Sequence, residues 1–168
     1  MDFLDEIEKS VPALRRYARA LTRNADRADD LVQDCLERAI NKRGLWTPTG
    51  TLQGWLFRIL LNLWRNEART QRRRGEHVPI DGLLVEPSVA APQPGRIALA
   101  EMSRSIDKLP DEQREALLLV VLEGMSYEEA SRVLQIPLGT LMSRLGRARA
   151  ALRVLTGAND EPRLRSVK

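Results

Sequence analysis

A predicted helix in the last third of the sequence carries arginines suited to binding a polyanion. Its apolar residues recur every three or four positions, which is the spacing of a buried helical stripe: Leu138, Leu141, Leu145, Ala148 and Leu152. Four arginines lie largely outside that stripe: Arg144, Arg147, Arg149 and Arg153. Guanidinium groups bind phosphate oxygens and guanine edges in DNA. The pattern therefore predicts a DNA-binding helix, and an arginine-rich solvated helix is the simpler alternative.

The residues before this helix favour the DNA-binding interpretation. Ser126 and Glu129 have the spacing of a capping box, in which a hydroxyl and a carboxylate satisfy free backbone N–H groups. A helix is thus predicted to begin at Ser126 and to run to about Gln135. Pro137 is suited to the first turn of the next helix. A capped helix, a short turn and a basic second helix, in this order, indicate a helix-turn-helix.

Charge is divided into blocks along the 168 residues, although the net charge is only +4. From Lys42 to Arg74 there are eight basic residues and one acid, Glu67, which gives a balance of +7. From Glu76 to Glu112 there are seven acids and three basic residues, which gives −4. Two basic zones on either side of an acidic one are typical of a protein that contacts a polyanion at two places.

Helical periodicity extends over most of the chain, and no alternating strand pattern competes with it. The helices predicted in the first half are Val11–Thr22, Asp29–Ile40 with an acidic outer face, and Trp55–Arg74. A second helical group is predicted to begin near Ala100. We therefore expect an all-α protein with two small helical domains, 1–75 and 100–168, joined by a flexible, proline-containing linker over 76–99.

Residue content excludes several classes of function. Cys35, the single cysteine, cannot form an intramolecular disulfide, and its place on an apolar stripe predicts a buried thiol. His77 has no cysteine or second histidine nearby, so we expect no metal site. We expect no cofactor and no catalytic residue, because the sequence has no glycine-rich phosphate loop and no nucleophile with a base partner. The lack of a membrane-length apolar run and the acidic N-terminus predict no membrane insertion and a cytoplasmic location.

Four sequence segments, in their order, resemble the extracytoplasmic-function (ECF) class of bacterial RNA polymerase sigma factors in the sigma-70 superfamily. They are Asp30–Asp34 with Leu36–Ala39, Trp55–Ile59 with Asn62, Leu109–Pro110 with Arg114, and Gly124–Ala130 continuing through Gly139–Thr140 and Ser143–Arg144 to Arg147–Arg149. The loop Trp46–Thr51 further resembles the general-stress branch of that class in alphaproteobacteria. The resemblance implies a sigma2-like domain at 1–75 and a sigma4-like domain at 100–168.

The resemblance also implies three binding surfaces. Contact with the clamp helices of core RNA polymerase is implied for Asp30, Gln33 and Asp34. Their acidic helix face suits a basic partner, and the alternative is a helix face that only contacts solvent. Binding of the single-stranded −10 element of promoter DNA is implied for Trp46, Arg58, Asn62, Arg65, Asn66 and Arg69. Binding of the −35 element as a duplex is implied for Thr140, Ser143, Arg144 and Arg147.

Two tryptophans and two positions of the predicted DNA-binding helix differ from what DNA contact alone would require. Trp55 and Trp64 share a stripe with apolar residues, so we expect them in the core rather than stacked on bases. Met142 stands where the family commonly has a basic residue, and Gly146 stands where many relatives have a larger one. These two departures leave the expected fold intact and put the strength of −35 binding in doubt.

The resemblance implies an alternative, non-enzymatic sigma factor that binds core RNA polymerase and directs promoter-specific initiation in a stress response. Such factors are usually inhibited by an anti-sigma protein, so this partner is expected too. Two alternatives stay open: a stand-alone helix-turn-helix transcriptional regulator, and a sigma-like decoy that binds only an anti-sigma protein. The first does not explain the basic helix Arg58–Arg74, and the second gives no reason to keep the predicted DNA-binding arginines.

Overall fold

The computed structural model describes residues 2–75 and 94–157. Within these ranges the helices are α1 (Phe3–Thr22), α2 (Ala25–Asn41), a short 3-10 helix (Arg43–Leu45), α3 (Leu52–Arg74), α4 (Pro94–Asp107), α5 (Asp111–Val121), α6 (Tyr127–Leu134) and α7 (Leu138–Leu155). These residues contain no strand, and the expected all-α class is confirmed. We call α1–α3 the N-terminal unit and α4–α7 the C-terminal unit.

The N-terminal unit consists of three amphipathic helices, each of which contacts the other two. α1 begins at Phe3, earlier than the predicted start at Val11, and it continues through Pro12. α2 also begins earlier than predicted, because the Asn24 side chain accepts a hydrogen bond from the Arg27 N–H at 3.0 Å and caps the helix. Periodicity alone placed both helix starts too late, and a polar side-chain cap explains the difference for α2 only, because the Asp2 side chain makes no cap hydrogen bond to α1.

Large side chains without solvent exposure fill the core between these helices. The Tyr17 and Phe57 rings meet edge to face, with their centroids 5.2 Å apart. Cys35 is buried as predicted, and its thiol donates a hydrogen bond to the Leu56 carbonyl oxygen at 3.3 Å. Trp64 is also buried, as expected. The core therefore fixes one face of α3 and leaves the opposite face for other contacts.

The C-terminal unit begins earlier than the periodicity indicated. α4 starts at Pro94 rather than near Ala100, so the last residues of the segment expected to be a linker are helical. The rest of that segment, 76–93, lies outside the described residues, and so does His77. The centre of the unit is formed by fully buried leucines where α5 packs against α7: Leu119, Leu141 and Leu145.

α6 and α7 form the predicted helix-turn-helix. Ser126 caps α6 by accepting a hydrogen bond from the Glu129 N–H at 3.1 Å. The Glu129 carboxylate does not return to Ser126, as the capping box predicted, but accepts a hydrogen bond from the Thr51 hydroxyl of the N-terminal unit at 2.8 Å. Gln135 ends α6 in the left-handed conformation, with φ of 55°, and α7 follows after Pro137.

Most of the predicted apolar stripe of α7 is covered, and its first member is not. Leu141, Leu145 and Ala148 are buried, whereas Leu138 is 40% exposed. A helical side chain leans toward the N-terminal end of its helix. Leu138 is the first residue of α7, so its side chain extends past the end of the helix into solvent.

The two units pack directly against each other. α3 contacts α6, and α1 contacts α5. At the centre of this interface, the Tyr17 hydroxyl donates a hydrogen bond to the Glu115 carbonyl oxygen at 3.0 Å, and both residues are buried. Burial raises the pKa of Tyr17 well above its ordinary value, so the hydroxyl keeps its proton. The interface therefore contains a buried hydrogen bond as well as surface contacts.

Candidate nucleic-acid interface

A groove of about 590 Å³ opens where the loop after the 3-10 helix meets the exposed face of α3. Three of the predicted −10 residues line it: Trp46, Arg58 and Asn62. Arg58 and Asn62 are four positions apart and both exposed, so their side chains leave α3 on the same side. A cation, an amide and an indole ring in one groove suit an unstacked base and its phosphate.

Two further cations line the same groove from the end of α2, Arg38 and Lys42. Sequence reasoning missed Arg38, and it counted Lys42 only as the first member of the basic block. The signal for both was the change from acidic to basic residues at the end of this helix. A third cation, Arg132, reaches the groove from α6 of the C-terminal unit. The groove is therefore more basic than the sequence prediction made it.

An aromatic cluster supports the loop side of the groove. The ring centroid of Phe3 lies 6.2 Å from that of Trp46 and 6.4 Å from that of Trp55. Trp55 is half-buried and lines the groove, so it is less enclosed than the expected core position. The first turn of α1 thus holds the loop against α3, a contact that no local pattern could indicate.

Arg65 does not join the groove. Its guanidinium binds the Glu115 carboxylate of the C-terminal unit, with Nη2 to Oε2 at 2.7 Å and Nε to both carboxylate oxygens at 3.3 Å. The hydrogen bonds that Arg65 donates to Glu115 raise the pKa of Arg65, which stays charged. Asn66 and Arg69 are exposed farther along α3. The predicted −10 residues are therefore divided between the groove, the interface between units and the solvent.

The predicted polymerase-binding residues share one exposed face of α2. Asp30, Gln33 and Asp34 are all exposed, while Leu31 and Val32 between them are buried. The Gln33 amide donates a hydrogen bond to Glu37 on the same face at 3.2 Å. The geometry leaves this acidic face accessible to a partner, and the role of the three residues stays a prediction.

The four predicted −35 residues come together in a second groove, of about 430 Å³, at the start of α7. One wall is formed by α7, through Thr140, Ser143, Arg144 and Arg147. The other wall is formed by α5 and the residue before it, through Pro110, Glu112 and Gln113. The Arg144 guanidinium lies 3.4 Å from the Glu112 carboxylate. Gly146 is exposed, and no neighbouring atom lies within 4 Å of a Cβ built there, so packing does not require glycine.

Two negative findings hold for the described residues, 2–75 and 94–157. They contain no group of three or more histidine, cysteine, aspartate or glutamate residues placed to hold a metal ion. None of their helices combines the length and the apolar character that crossing a membrane requires.

Two family models match the chain, and they divide it as the two units do. The model for the sigma2 domain of PhyR matches residues 7–61, and the model for sigma-70 region 4 matches residues 99–152. The helix-turn-helix and its arginines lie within the second match, and the groove beside α3 lies within the first. This pair of domains agrees with a sigma factor of the two-domain type.

Proteins that are similar over nearly the whole chain identify a narrower class of sigma factor. The ECF RNA polymerase sigma factor EcfG of Rhodopseudomonas palustris is 42% identical over 160 residues, which cover 93% of this chain and 87% of the relative. The sigma factor RpoE of Bartonella quintana, solved in complex with the anti-sigma factor NepR, is 32% identical with a TM-score of 0.79, over 95% of this chain and 99% of that one. CnrH, solved with the cytosolic domain of CnrY, is 28% identical with a TM-score of 0.67, over 92% and 86% of the two chains.

The chain belongs to the ECF family of RNA polymerase sigma factors. The family resemblance predicted from the sequence is therefore confirmed, and the similarity to EcfG and to RpoE agrees with the general-stress branch. The protein is an alternative sigma factor, a class that directs promoter-specific transcription. The roles of individual site residues stay predictions.

Proposed function

We propose that this sigma factor binds core RNA polymerase through the acidic face of α2 and contacts promoter DNA at two places, one on each unit. The observation that carries the proposal is the presence of three separate surfaces in one chain: an exposed acidic face, a basic groove beside α3 and a basic groove on α7. A stand-alone regulator needs only the last of these. A decoy needs no arginine in either groove.

In the proposed −35 contact, α7 enters the major groove of duplex DNA. Arg144 and Arg147 then bind guanine edges or phosphates, and Thr140 and Ser143 set the position of the helix on the backbone. Ser143 and Arg147 are exposed, which leaves them free to reach the duplex. Met142 offers no charge at its exposed position, so a −35 contact rests on fewer cations than in relatives with a basic residue there.

In the proposed −10 contact, the groove beside α3 holds an unpaired strand. Extruding a base from a duplex costs a few kcal/mol, which stacking, hydrogen bonds and phosphate contacts made only to the single strand offset. Arg58 can bind phosphate, and the Asn62 amide can both donate to and accept from a base edge. Arg38 and Lys42 extend the same positive wall.

We further propose that the protein is not an enzyme, because nucleotidyl transfer belongs to the polymerase it serves. It then acts in the cytoplasm, where transcription takes place, and in a stress response. By similarity to RpoE and CnrH, which were solved with NepR and CnrY, an anti-sigma protein is the expected second partner. Run-off transcription repeated with a purified anti-sigma protein tests this, and undiminished transcripts with every such protein would count against the partner.

Run-off transcription with purified core polymerase and a library of promoter fragments tests the whole proposal. New start sites should depend on this protein. Asp34→Lys, on the acidic face of α2, should weaken binding to core polymerase, whereas the same charge change at exposed Glu8 of α1 should not. Failure of the wild-type chain to bind core polymerase or to change start-site choice would refute the proposal.

A pair of variants on one helix tests the −35 assignment. Arg144→Glu should spare core binding and reduce transcription from promoters that need the upstream element. Arg153→Glu makes the same charge change on exposed α7 surface outside the groove and should reduce it far less. Loss of core binding in Arg144→Glu would contradict the division of labour between the two units.

A further inference from the structure

Charge is distributed unequally across the interface between the two units. Within the described residues, four ion pairs join the units, and each has its arginine in the N-terminal unit and its acid in the C-terminal unit. They are Arg16 with Glu123 at 2.7 Å, Arg23 with Asp107 at 3.5 Å, Arg65 with Glu115 at 2.7 Å, and Arg72 with Asp111 at 2.8 Å. The C-terminal unit therefore presents an acidic surface to an arginine-bearing one.

Two of these acids are almost completely enclosed. The side chain of Glu115 is 3% exposed and that of Glu123 is 1% exposed. Each accepts hydrogen bonds on both carboxylate oxygens, Glu115 from Arg65 and Glu123 from Arg16. A buried carboxylate that loses its cation is strongly destabilised. The closed arrangement of the units therefore depends on these two arginines.

The interface between the units borders the groove proposed for the −10 strand and covers one predicted strand contact outside it. Arg65, a predicted strand contact, is occupied by Glu115. One wall of the groove belongs to the C-terminal unit, through residues of α6 and its C-cap: Glu129, Arg132, Val133 and Gln135. Thr51, at the groove mouth, is hydrogen-bonded to Glu129. Ser143 and Arg147 of the −35 groove are exposed, and so are Arg58 and Asn62 of the −10 groove.

We propose that the acidic surface of the C-terminal unit occupies part of the strand-binding surface of the N-terminal unit, at Arg65, in place of DNA. The closed chain then withholds Arg65 from the strand while both grooves stay exposed, and separation of the units frees Arg65 for DNA. This inference rests on the proposed function of the two grooves. Glu115 takes up the Nε and Nη2 donors of Arg65 and offsets its charge, so the open form binds single-stranded DNA more tightly. The apparent affinity for single-stranded DNA then rises with the fraction of chains that are open.

Two single variants with opposite charge changes separate opening from general charge effects. Arg16→Gln removes a cation and leaves Glu123 unpaired, while Glu123→Gln adds one unit of net positive charge and removes the same ion pair. Neither residue belongs to a proposed DNA or polymerase contact. Arg19→Gln on exposed α1 surface and Glu101→Gln on exposed α4 surface make the same two charge changes away from these ion pairs and serve as controls.

Small-angle X-ray scattering and binding of a fluorescent random-sequence single-stranded DNA pool provide the readouts. The wild-type chain should have a radius of gyration near the roughly 15 Å expected for a compact chain of this length. Both Arg16→Gln and Glu123→Gln should increase that radius and bind the pool about tenfold more tightly, and the controls should do neither. The affinity for random duplex DNA should differ among the four variants only as their net charge differs.

Three results would overturn the inference: an extended wild-type chain, variants that stay as compact as their controls, or variants that open without binding single strands more tightly. A sodium chloride series on the wild-type chain repeats the scattering test without substitution, and its radius should rise as salt screens the ion pairs. Binding to core polymerase is measured in parallel. If that binding persists while the variants behave like their controls, this inference fails and the proposed function stands.

Discussion

Replacing Tyr17 with phenylalanine removes one hydrogen bond between the two units and changes little else. The Tyr17 hydroxyl donates to the Glu115 carbonyl oxygen at 3.0 Å. Phenylalanine keeps the edge-to-face contact with Phe57, whose ring centroid lies 5.2 Å away, and it alters no charge. The substitution therefore tests the interface without disturbing the core of the N-terminal unit or the ionic surface.

The size of the effect follows from the burial of this bond. A hydrogen bond inside a protein contributes about 0.5–1.5 kcal/mol net, because the open form regains hydrogen bonds to water. That range corresponds to a shift of roughly two- to twelvefold in the ratio of closed to open chains. We expect Tyr17→Phe to open at a lower salt concentration than the wild-type chain and to bind single-stranded DNA more tightly by about that factor.

Scattering across a sodium chloride series measures the midpoint of opening. Tyr127→Phe is the matched control, because the Tyr127 hydroxyl accepts a hydrogen bond from Arg149 within the C-terminal unit, at 3.1 Å. If Tyr17→Phe leaves the midpoint where it is, or moves it no more than Tyr127→Phe does, the bond to Glu115 does not hold the units together.

Four other outcomes test the packing of α7, the cap on α6 and the buried thiol. Leu141→Ala should lower the free energy of unfolding by about 2–5 kcal/mol in chemical denaturation, because Leu141 is fully buried; a loss below about 1 kcal/mol would contradict the packing of α7. Ser126→Ala should lower it by about 1 kcal/mol through loss of the cap on α6, and equal stability would rule that cap out. Burial raises the pKa of Cys35 from 9.0 to about 12, so the native thiol should react with a thiol reagent far more slowly than the unfolded chain does, and rapid native labelling would refute its burial. The stability that the protonated Cys35 thiol confers should be complete below pH 9 and should decline as pH rises toward 12, which denaturation at several pH values measures.

Local patterns were sufficient to predict the helices and much of what they bury. The stripe of α7 is buried at Leu141, Leu145 and Ala148, and Ser126 caps α6, because periodicity and capping are properties of neighbouring residues. The four −35 residues implied by the family resemblance line one groove, since they share the first turns of one helix. Helix starts were predicted less well, as Phe3 and Ala25 show, because they depend on single caps and on packing.

Arg65 shows what the sequence could not reveal. The family resemblance implies strand binding for Arg65, and nothing near it in sequence indicates that Glu115 lies 2.7 Å from its guanidinium. That contact depends on how two helices from different units pack, as does the contact of Glu129 with Thr51. Phe3 against Trp46 is a similar case within one unit. Contacts between distant segments are set by the assembled fold rather than by local periodicity.

The Thr51 hydroxyl has two roles that do not depend on each other. It accepts a hydrogen bond from the Gly54 N–H at 3.1 Å, which caps α3, and it donates its proton to Glu129 at 2.8 Å. A hydroxyl has one proton and two lone pairs, so water can replace the carboxylate while the cap persists. The start of α3 thus stays capped whether or not the units are in contact, and in the proposed strand contact the DNA need not supply the entropy of ordering it.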